Sequence, residues 1–162
     1  MFRRLEQAVA AADWRGVVAL EHAGRMVAAD VRTAAPNHDK RVYSTLAFAY
    51  RALGDLTKAI EYHTQCLAIA QDVGDRAAEC KVYGNLGNVC QSLGDFSKAI
   101  ECQTQCLVIA QDVGDRAAQG RAYGNLGNVF QSQRDFSKVI KYHTQCLAIV
   151  EEQGDRAGEG MS

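Results

Sequence analysis

The chain has little of what marks several protein classes. It has one proline and one tryptophan among 162 residues, and no apolar run near the roughly 20 residues that a membrane-spanning helix needs. Its net charge of −1 lacks the basic excess that contact with nucleic-acid phosphates requires. The first six residues carry no extended apolar stretch of a signal peptide. We therefore expect a cytoplasmic protein that binds neither membranes nor nucleic acid.

The six cysteines do not suggest a disulfide framework. Cys66, Cys106 and Cys146 are spaced by 40 residues. Equivalent Cα atoms of stacked helices lie about 10 Å apart, whereas a disulfide needs less than about 7 Å. We predict that these cysteines are reduced, buried packing residues. A metal site is the alternative, because His63 and His143 share helical faces with cysteines, but no closed set of four ligands emerges. We predict no metal and no cofactor.

A Gly-Asp pair recurs at intervals of 20 residues. Its copies stand at 54–55, 74–75, 94–95, 114–115 and 154–155, and the one irregular copy reads Arg134-Asp135. Glycine ends a helix because it adopts positive φ without a Cβ penalty, and aspartate begins one by accepting from free N–H groups. The spacing predicts helices of about 17 residues joined by tight turns. If Arg134 takes the left-handed conformation, it costs about 1 kcal/mol that glycine does not.

Two such helices make a repeating unit of 40 residues. In the second unit, helix A is predicted from Arg76 to Leu93 and helix B from Phe96 to Asp112, each with apolar residues three and four apart. Segment 71–78 returns unchanged at 111–118. Since one unit cannot bury its apolar face alone, the sequence predicts an all-α solenoid of antiparallel helix pairs.

The repeats define the predicted domain organisation. We assign 1–35 to a degenerate helix pair that acts as a cap, 36–154 to three units (about 40–74, 75–114 and 115–154), and 155–162 to the start of an unfinished next helix. Leu147, Ile149 and Val150 then have little to cover them. We therefore expect a longer array, or self-association through this uncapped C-terminal end.

A glycine stands in the middle of two A helices. Gly87 and Gly127 occupy the place that Ala47 holds in the first unit. A mid-helix glycine costs about 1 kcal/mol relative to alanine. We therefore expect that two helices approach closely at this place, where a side chain would clash.

These residues carry a family resemblance. Tyr83-x-x-Leu86-Gly87-x-x-Cys90, followed by Ala99, resembles the tetratricopeptide (TPR) signature, and 43–50 and 123–130 fit the same frame. Asn85-Leu-Gly-Asn88 and its copy at 125–128 are similar to the LGN/Pins subfamily and to long animal TPR arrays with 40-residue units. The resemblance implies a right-handed superhelix whose A helices line a concave groove that holds extended or partly helical peptides.

Helical spacing selects candidate groove residues. Positions i, i+4, i+7 and i+10 of each A helix share one face, away from helix B. They are Arg41, Thr45, Phe48, Arg51, Lys81, Asn85, Asn88, Gln91, Arg121, Asn125, Asn128 and Gln131. Amide side chains can pair with a peptide backbone of any sequence, and cations favour acidic groups. Two other interpretations of the asparagines stay open, namely solvated helix residues and hydrogen bonding between repeats.

The predicted function is a protein–protein interaction scaffold that binds a protein or peptide with acidic groups. No nucleophile–base pair, phosphate loop or carboxylate pair indicates an enzyme. The alternative is a structural or oligomerising spacer of a larger repeat protein, with no peptide ligand of its own. RNA-reading helical repeats are disfavoured by the neutral charge and the unit length.

Overall fold

A computed structural model describes residues 36–159, with side chains from Lys40 to Gly154. The predicted cap at 1–35 and the last three residues lie outside the described residues. The described chain contains helices only, and we number them in chain order. They are α1 (Pro36–Ala52), α2 (Leu56–Asp72), α3 (Arg76–Leu93), α4 (Phe96–Asp112), α5 (Arg116–Ser132) and α6 (Phe136–Glu159).

The junctions between helices have the predicted geometry. Positive φ angles of 67° to 85° occur at Gly54, Gly74, Gly94 and Gly114. The carboxylates of Asp55, Asp95 and Asp115 accept from backbone N–H groups in the first turn of α2, α4 and α5. The junctions at Gly54, Gly94 and Gly114 therefore each end one helix and cap the next within three residues, which turns the chain back on itself inside each compact unit.

The irregular junction, Arg134-Asp135, has the same backbone conformation as the Gly-Asp junctions, although this conformation costs conformational energy in a residue with a Cβ atom. Arg134 has a φ of 60°, the left-handed conformation that its glycine counterparts adopt. Its backbone N–H still donates to the Gln131 carbonyl at 3.0 Å, and that of Asp135 donates to the Phe130 carbonyl at 3.0 Å. The turn is therefore held by the same hydrogen bonds as the others, although a Cβ atom is present.

The described residues form two compact units, which differ from the 40-residue repeats. From here on, the first unit is residues 36–75, and the second unit is residues 76–159, which hold the second and third repeats. In the first, α1 packs on α2, and the Tyr62 ring stacks on Tyr50 and Tyr43 at centroid distances of 5.6 and 6.0 Å. In the second, α3 pairs with α4 and α5 pairs with α6, while α5 also packs on α4 and touches α3. The chain is thus an all-α helical repeat fold of helix pairs.

Small side chains allow this close packing in the second unit. One cluster joins Cys80 of α3, Cys106 and Ile109 of α4, and Ala118 and Ala122 of α5. Leu126 and Val129 of α5 are fully buried as well. Because alanine and cysteine side chains are small, they let α5 pack closely against α4.

One boundary prediction was wrong. We predicted a new helix at Asp155, but α6 runs without a break through Gly154 and Asp155 to Glu159. A turn is favoured only where the next helix folds back and buries an apolar face, and the sequence at 156–159 (Arg-Ala-Gly-Glu) offers none. Continuation keeps the regular helical hydrogen bonds instead. Pro36 begins α1, where its missing N–H has no intrahelical partner to lose.

None of the described helices combines the length and the apolar character that crossing a bilayer would require.

Candidate functional site

The candidate groove residues of the second unit lie on two neighbouring A helices, α3 and α5, which touch each other. Lys81, Arg121, Asn128 and Gln131 are exposed. The remaining members are half-buried, namely Asn85, Asn88, Gln91 and Asn125. The two helices therefore present cations at one end of the face and amides along the rest of it.

The arginines of the Gly-Asp-Arg junctions are not part of this face. Arg76 donates to Glu79 at 2.7 Å and to Asp112 at 3.4 Å. Arg116 donates to Gln119 at 2.8 Å and is ion-paired with Glu152. Each arginine thus links the start of helix A to the end of helix B within one helix pair. Because both pairs contain this link, we assign these arginines a structural role.

Lys81 and Arg121 differ from these clamping arginines. Both are exposed, and neither forms an ion pair with any residue that the structure describes. They stand one repeat apart on α3 and α5. Because their charges are not neutralised within the described chain, they produce a positive potential at this end of the face.

A buried glutamine organises the middle of the face. Gln103 of α4 is 0% exposed, and its side-chain nitrogen donates to the Gly84 carbonyl and to Asn88 Oδ1, both at 3.0 Å. Its side-chain oxygen accepts from Asn125 Nδ2 at 3.2 Å. For Asn125 the structure thus has the hydrogen bond between repeats that the sequence left open, whereas the bond of Asn88 to Gln103 lies within one repeat. Asn128 forms no such bond to the residues described, and its amide is exposed.

The two mid-helix glycines each make room for a polar side chain of the paired B helix. A Cβ atom at Gly87 would stand 2.5 Å from Gln103 Nε2 and 2.9 Å from its Cγ. At Gly127 it would stand 2.6 Å from Nε2 of His143, the residue equivalent to Gln103. Close helix approach at both glycines is therefore confirmed.

In the first unit the candidate residues lie on α1. Arg41, Phe48 and Arg51 are exposed and Thr45 is half-buried, with its hydroxyl donating to the Arg41 carbonyl at 2.9 Å. The Arg51 guanidinium lies over the Phe48 ring, 5.1 Å from its centroid. This pair offers an aromatic surface and a cation together.

Behind α1 lies a buried histidine. His63 of α2 is 3% exposed, and its Nδ1 atom finds no hydrogen-bond partner among the described residues. Burial, reinforced by the positive charge of Arg51, lowers the pKa of His63 to about 4. The ring is therefore neutral at pH 7 and belongs to the core of the first unit.

The cysteines are free thiols, and Cys66 and Cys106 are buried as predicted, whereas Cys146 is half-buried. Burial raises the pKa of Cys66 to about 12 and that of Cys102 to about 11. Thiols of this kind stay protonated at neutral pH and pack as small apolar groups. Within the range described, His, Cys, Asp and Glu side chains do not gather in threes that could hold a metal ion.

Sequence reasoning missed the role of Gln103. Its three partners are 19, 15 and 22 positions away along the chain, so no local pattern contains them. One signal was available. A mid-helix glycine recurs in A helices, and a polar residue occupies the matching place in each B helix, as His63, Gln103 and His143.

Comparison with known proteins supports the fold. The family model "Tetratricopeptide repeat" matches residues 40–112 and 78–152. The crystal structure of BtubC from P. vanneervenii is similar at a TM-score of 0.77, with 24% identity over 91% of this chain. The chain spans 60% of the length of BtubC. The TPR domain of Arabidopsis FLU is similar at a TM-score of 0.68, with 20% identity, covering 73% of this chain and 99% of that one.

At these identities the two structures show the fold alone. No curated protein sequence matches the chain. The family match covers well over half of the residues, and TPR domains generally mediate protein–protein interaction. The chain therefore belongs to the tetratricopeptide repeat family.

Proposed function

We propose that the chain is an adaptor that binds an acidic peptide on the face formed by the A helices α3 and α5. One observation carries this proposal. Lys81 and Arg121 are exposed without an ion pair in the described chain, at matching places on adjacent helices, whereas Arg76 and Arg116 are each paired with a carboxylate. Cations left unpaired at repeated places favour a partner that brings carboxylates.

The amides beside them suit a peptide backbone. Asn128 and Gln131 are exposed, and each amide side chain offers both donors and an acceptor. Asn88 and Asn125 act differently, because Gln103 already engages one group of each. We therefore assign direct peptide contact to Lys81, Arg121, Asn128 and Gln131, and a positioning role to the Gln103 network. Asn85 and Gln91, half-buried on α3, complete the face.

In the first unit, we propose that Arg41, Thr45, Phe48 and Arg51 form a peptide-contacting face of their own on α1. The exposed Phe48 ring adds apolar area that the other A helices lack at this place, because Asn88 and Asn128 replace it. We propose that the bound peptide follows the mode of the LGN/Pins-like arrays, as an extended or partly helical segment. The chain is proposed to act by binding, without an enzymatic activity of its own.

Reversing the two unpaired charges should abolish most of this binding. In Lys81→Glu/Arg121→Glu, attraction to the peptide carboxylates becomes repulsion, and we expect a loss of about tenfold or more in affinity. The wild-type affinity should also fall as salt rises, because exposed charges are screened. The measurement is fluorescence anisotropy with labelled peptides selected from an Asp- and Glu-rich random library.

A matched variant controls for net charge. Lys98→Glu/Lys141→Glu makes the same charge change on the B helices α4 and α6, where both lysines are exposed. Glutamate also stands naturally at 61 and 101, the places equivalent to Lys141. This control should retain near wild-type affinity. Equal weakening by both double variants would contradict the proposed site, because binding would then follow net charge alone.

A second candidate function is self-association, favoured by the apolar stripe of α6. Phe136, Ile140, Leu147 and Val150 are 57% to 69% exposed. The equivalent residues of α4 are half-buried or buried, namely Phe96, Ile100, Leu107 and Ala110, and α4 is the helix that α5 packs against. An apolar face that a neighbouring helix covers on α4 is therefore left open on α6.

We propose that a second copy of the chain covers this stripe. The steps of four, seven and three residues between 136, 140, 147 and 150 keep all four side chains on one face of α6. Two α6 helices in antiparallel contact would bury the stripe symmetrically. This arrangement corresponds to the oligomerising alternative that the sequence also allows.

Sedimentation equilibrium tests the self-association. The wild-type chain should approach the mass of a dimer as concentration rises, and Ile140→Lys/Leu147→Lys should shift it to the monomer mass. The control is Val108→Lys, an exposed apolar residue of α4 outside the stripe, which should leave the equilibrium unchanged. A wild-type chain that remains a monomer at high concentration would show that a second copy does not cover this face.

A further inference from the structure

Two thiols touch each other inside the second helix pair. The sulfur atoms of Cys80 on α3 and Cys106 on α4 are 2.8 Å apart, and both side chains are buried. The Cys80 sulfur also lies 3.3 Å from the Cys106 carbonyl oxygen. Since a disulfide bond is about 2.0 Å long, a relative shift of less than about 1 Å would join the two sulfurs.

This contact is specific to one repeat. In the first pair the equivalent residues are Lys40 and Cys66, and the Cys66 thiol donates to the Lys40 carbonyl at 3.5 Å. In the third pair they are Gly120 and Cys146, so one side chain is missing. Positions 40, 80 and 120 thus hold three different residues, although most neighbouring positions are the same in the second and third repeats. Only the α3–α4 pair among the described helices has a thiol on both sides.

We propose that Cys80 and Cys106 are a site of oxidative modification, where hydrogen peroxide or a related two-electron oxidant forms a disulfide between α3 and α4. The thiolate of one cysteine attacks a peroxide oxygen, the O–O bond breaks, and a sulfenic acid forms as water leaves. The second thiolate attacks the sulfenic sulfur, and the S–O bond breaks to release a second water. Two thiols and one peroxide give one disulfide and two waters, and a dithiol reductant reverses the step.

The surroundings make this reaction slow but selective. Burial and the neighbouring Cys80 thiol raise the pKa of Cys106, opposed by the positive charge of Arg121 on α5. Little thiolate is therefore present at neutral pH, and a bulky oxidant cannot reach the pair. A small peroxide reacts when the helix pair opens locally, and the partner thiol then traps the sulfenic acid before further oxidation.

The disulfide would cross-link the two helices of the pair. It would join residues 26 positions apart on two different helices, so it would restrict the unfolded chain and fix α3 against α4. Cys80 directly precedes Lys81 on α3. The inference depends only on the thiol geometry and holds whether or not the face beside it binds a peptide.

The test uses the full chain treated with hydrogen peroxide and then with iodoacetamide. Peptide mapping by mass spectrometry should find a Cys80–Cys106 cross-link lighter by two hydrogen atoms, which dithiothreitol removes. Oxidation should raise the melting temperature by roughly 5 to 10 °C, as expected for a loop of this length. Cys80→Ala should abolish both the cross-link and the shift, while Cys66→Ala, the control, should keep both.

Three results would overturn the proposal. The first is a wild-type chain in which both cysteines are still alkylated after peroxide treatment. The second is stable sulfinic acid at Cys106, which would mean that Cys80 does not trap the intermediate. The third is a cross-link only between Cys90 and Cys102, whose side chains also hydrogen-bond. Mapping of the wild-type chain distinguishes these results from the predicted one even if a variant fails to fold.

Discussion

Replacing Gly87 by alanine is expected to lower the free energy of unfolding by about 2 kcal/mol, although alanine is the better helix former by about 1 kcal/mol. The new Cβ would stand 2.5 to 2.9 Å from the Gln103 side chain, which is buried and held by three hydrogen bonds. Gln103 would have to withdraw and leave buried polar groups unpaired. Urea denaturation followed by circular dichroism measures the loss.

Gly84 provides the matched control on the same helix. A Cβ at Gly84 would meet only the Cys106 sulfur, at an ordinary contact distance of 3.7 Å. Gly84→Ala should therefore stabilise the chain by up to about 1 kcal/mol. Shortening the partner in Gly87→Ala/Gln103→Ala should recover part of the loss, as a coupled pair requires. If Gly84→Ala and Gly87→Ala change stability in the same direction, the close approach at Gly87 is refuted.

The second large effect is a loss of stability at acid pH that depends on His63. The folded pKa of His63 is about 4, below the ordinary value of 6.5. The unfolded chain therefore takes up a proton first as the pH falls, so stability is full above about pH 6.5 and is lost between about 6.5 and 4. At about pH 5 the expected loss is about 2 kcal/mol relative to about pH 7.5. Urea midpoints at the two pH values measure it.

Removing the titrating group should remove most of this dependence. His63→Gln/Ala47→Gly copies the pair that Gln103 and Gly87 form in the second repeat, with no ionisable group at this place. Its urea midpoint should change much less between the two pH values. At both pH values carboxylates with ordinary pKa values are mostly ionised. An equal loss in the variant and the wild-type chain would assign the effect to groups other than His63.

Local signals predicted most of the helices. The bounds of α3 and α4 agree with prediction to the residue, because the left-handed glycine and the capping aspartate act within one turn of the chain. The same signal failed at Gly154-Asp155, where α6 continues. A junction of this type permits a turn, but packing of the next helix is what stabilises it.

Contacts between helices were harder to predict. Helical spacing selects a face, but it does not show that Gln103 joins Asn88 to Asn125, since the donor lies on a different helix. The sulfur contact was missed for a related reason. Comparison of equivalent places paired Cys66, Cys106 and Cys146 with one another, whereas the touching thiols occupy different places on α3 and α4. Comparing repeats identifies the residues that they share, whereas these contacts depend on Gln103 and Cys80, which differ from the equivalent residues of the other repeats.

An NMR titration of the ¹⁵N-labelled chain with an acidic library peptide tests the proposed binding face most directly. The largest backbone shifts in the second unit should occur around Lys81, Arg121 and Asn128, on α3 and α5. A peptide in which Gln and Asn replace Glu and Asp should cause much smaller shifts at equal concentration. Shifts confined to α4 or α6, or equal shifts with the neutral peptide, would contradict the proposed binding face.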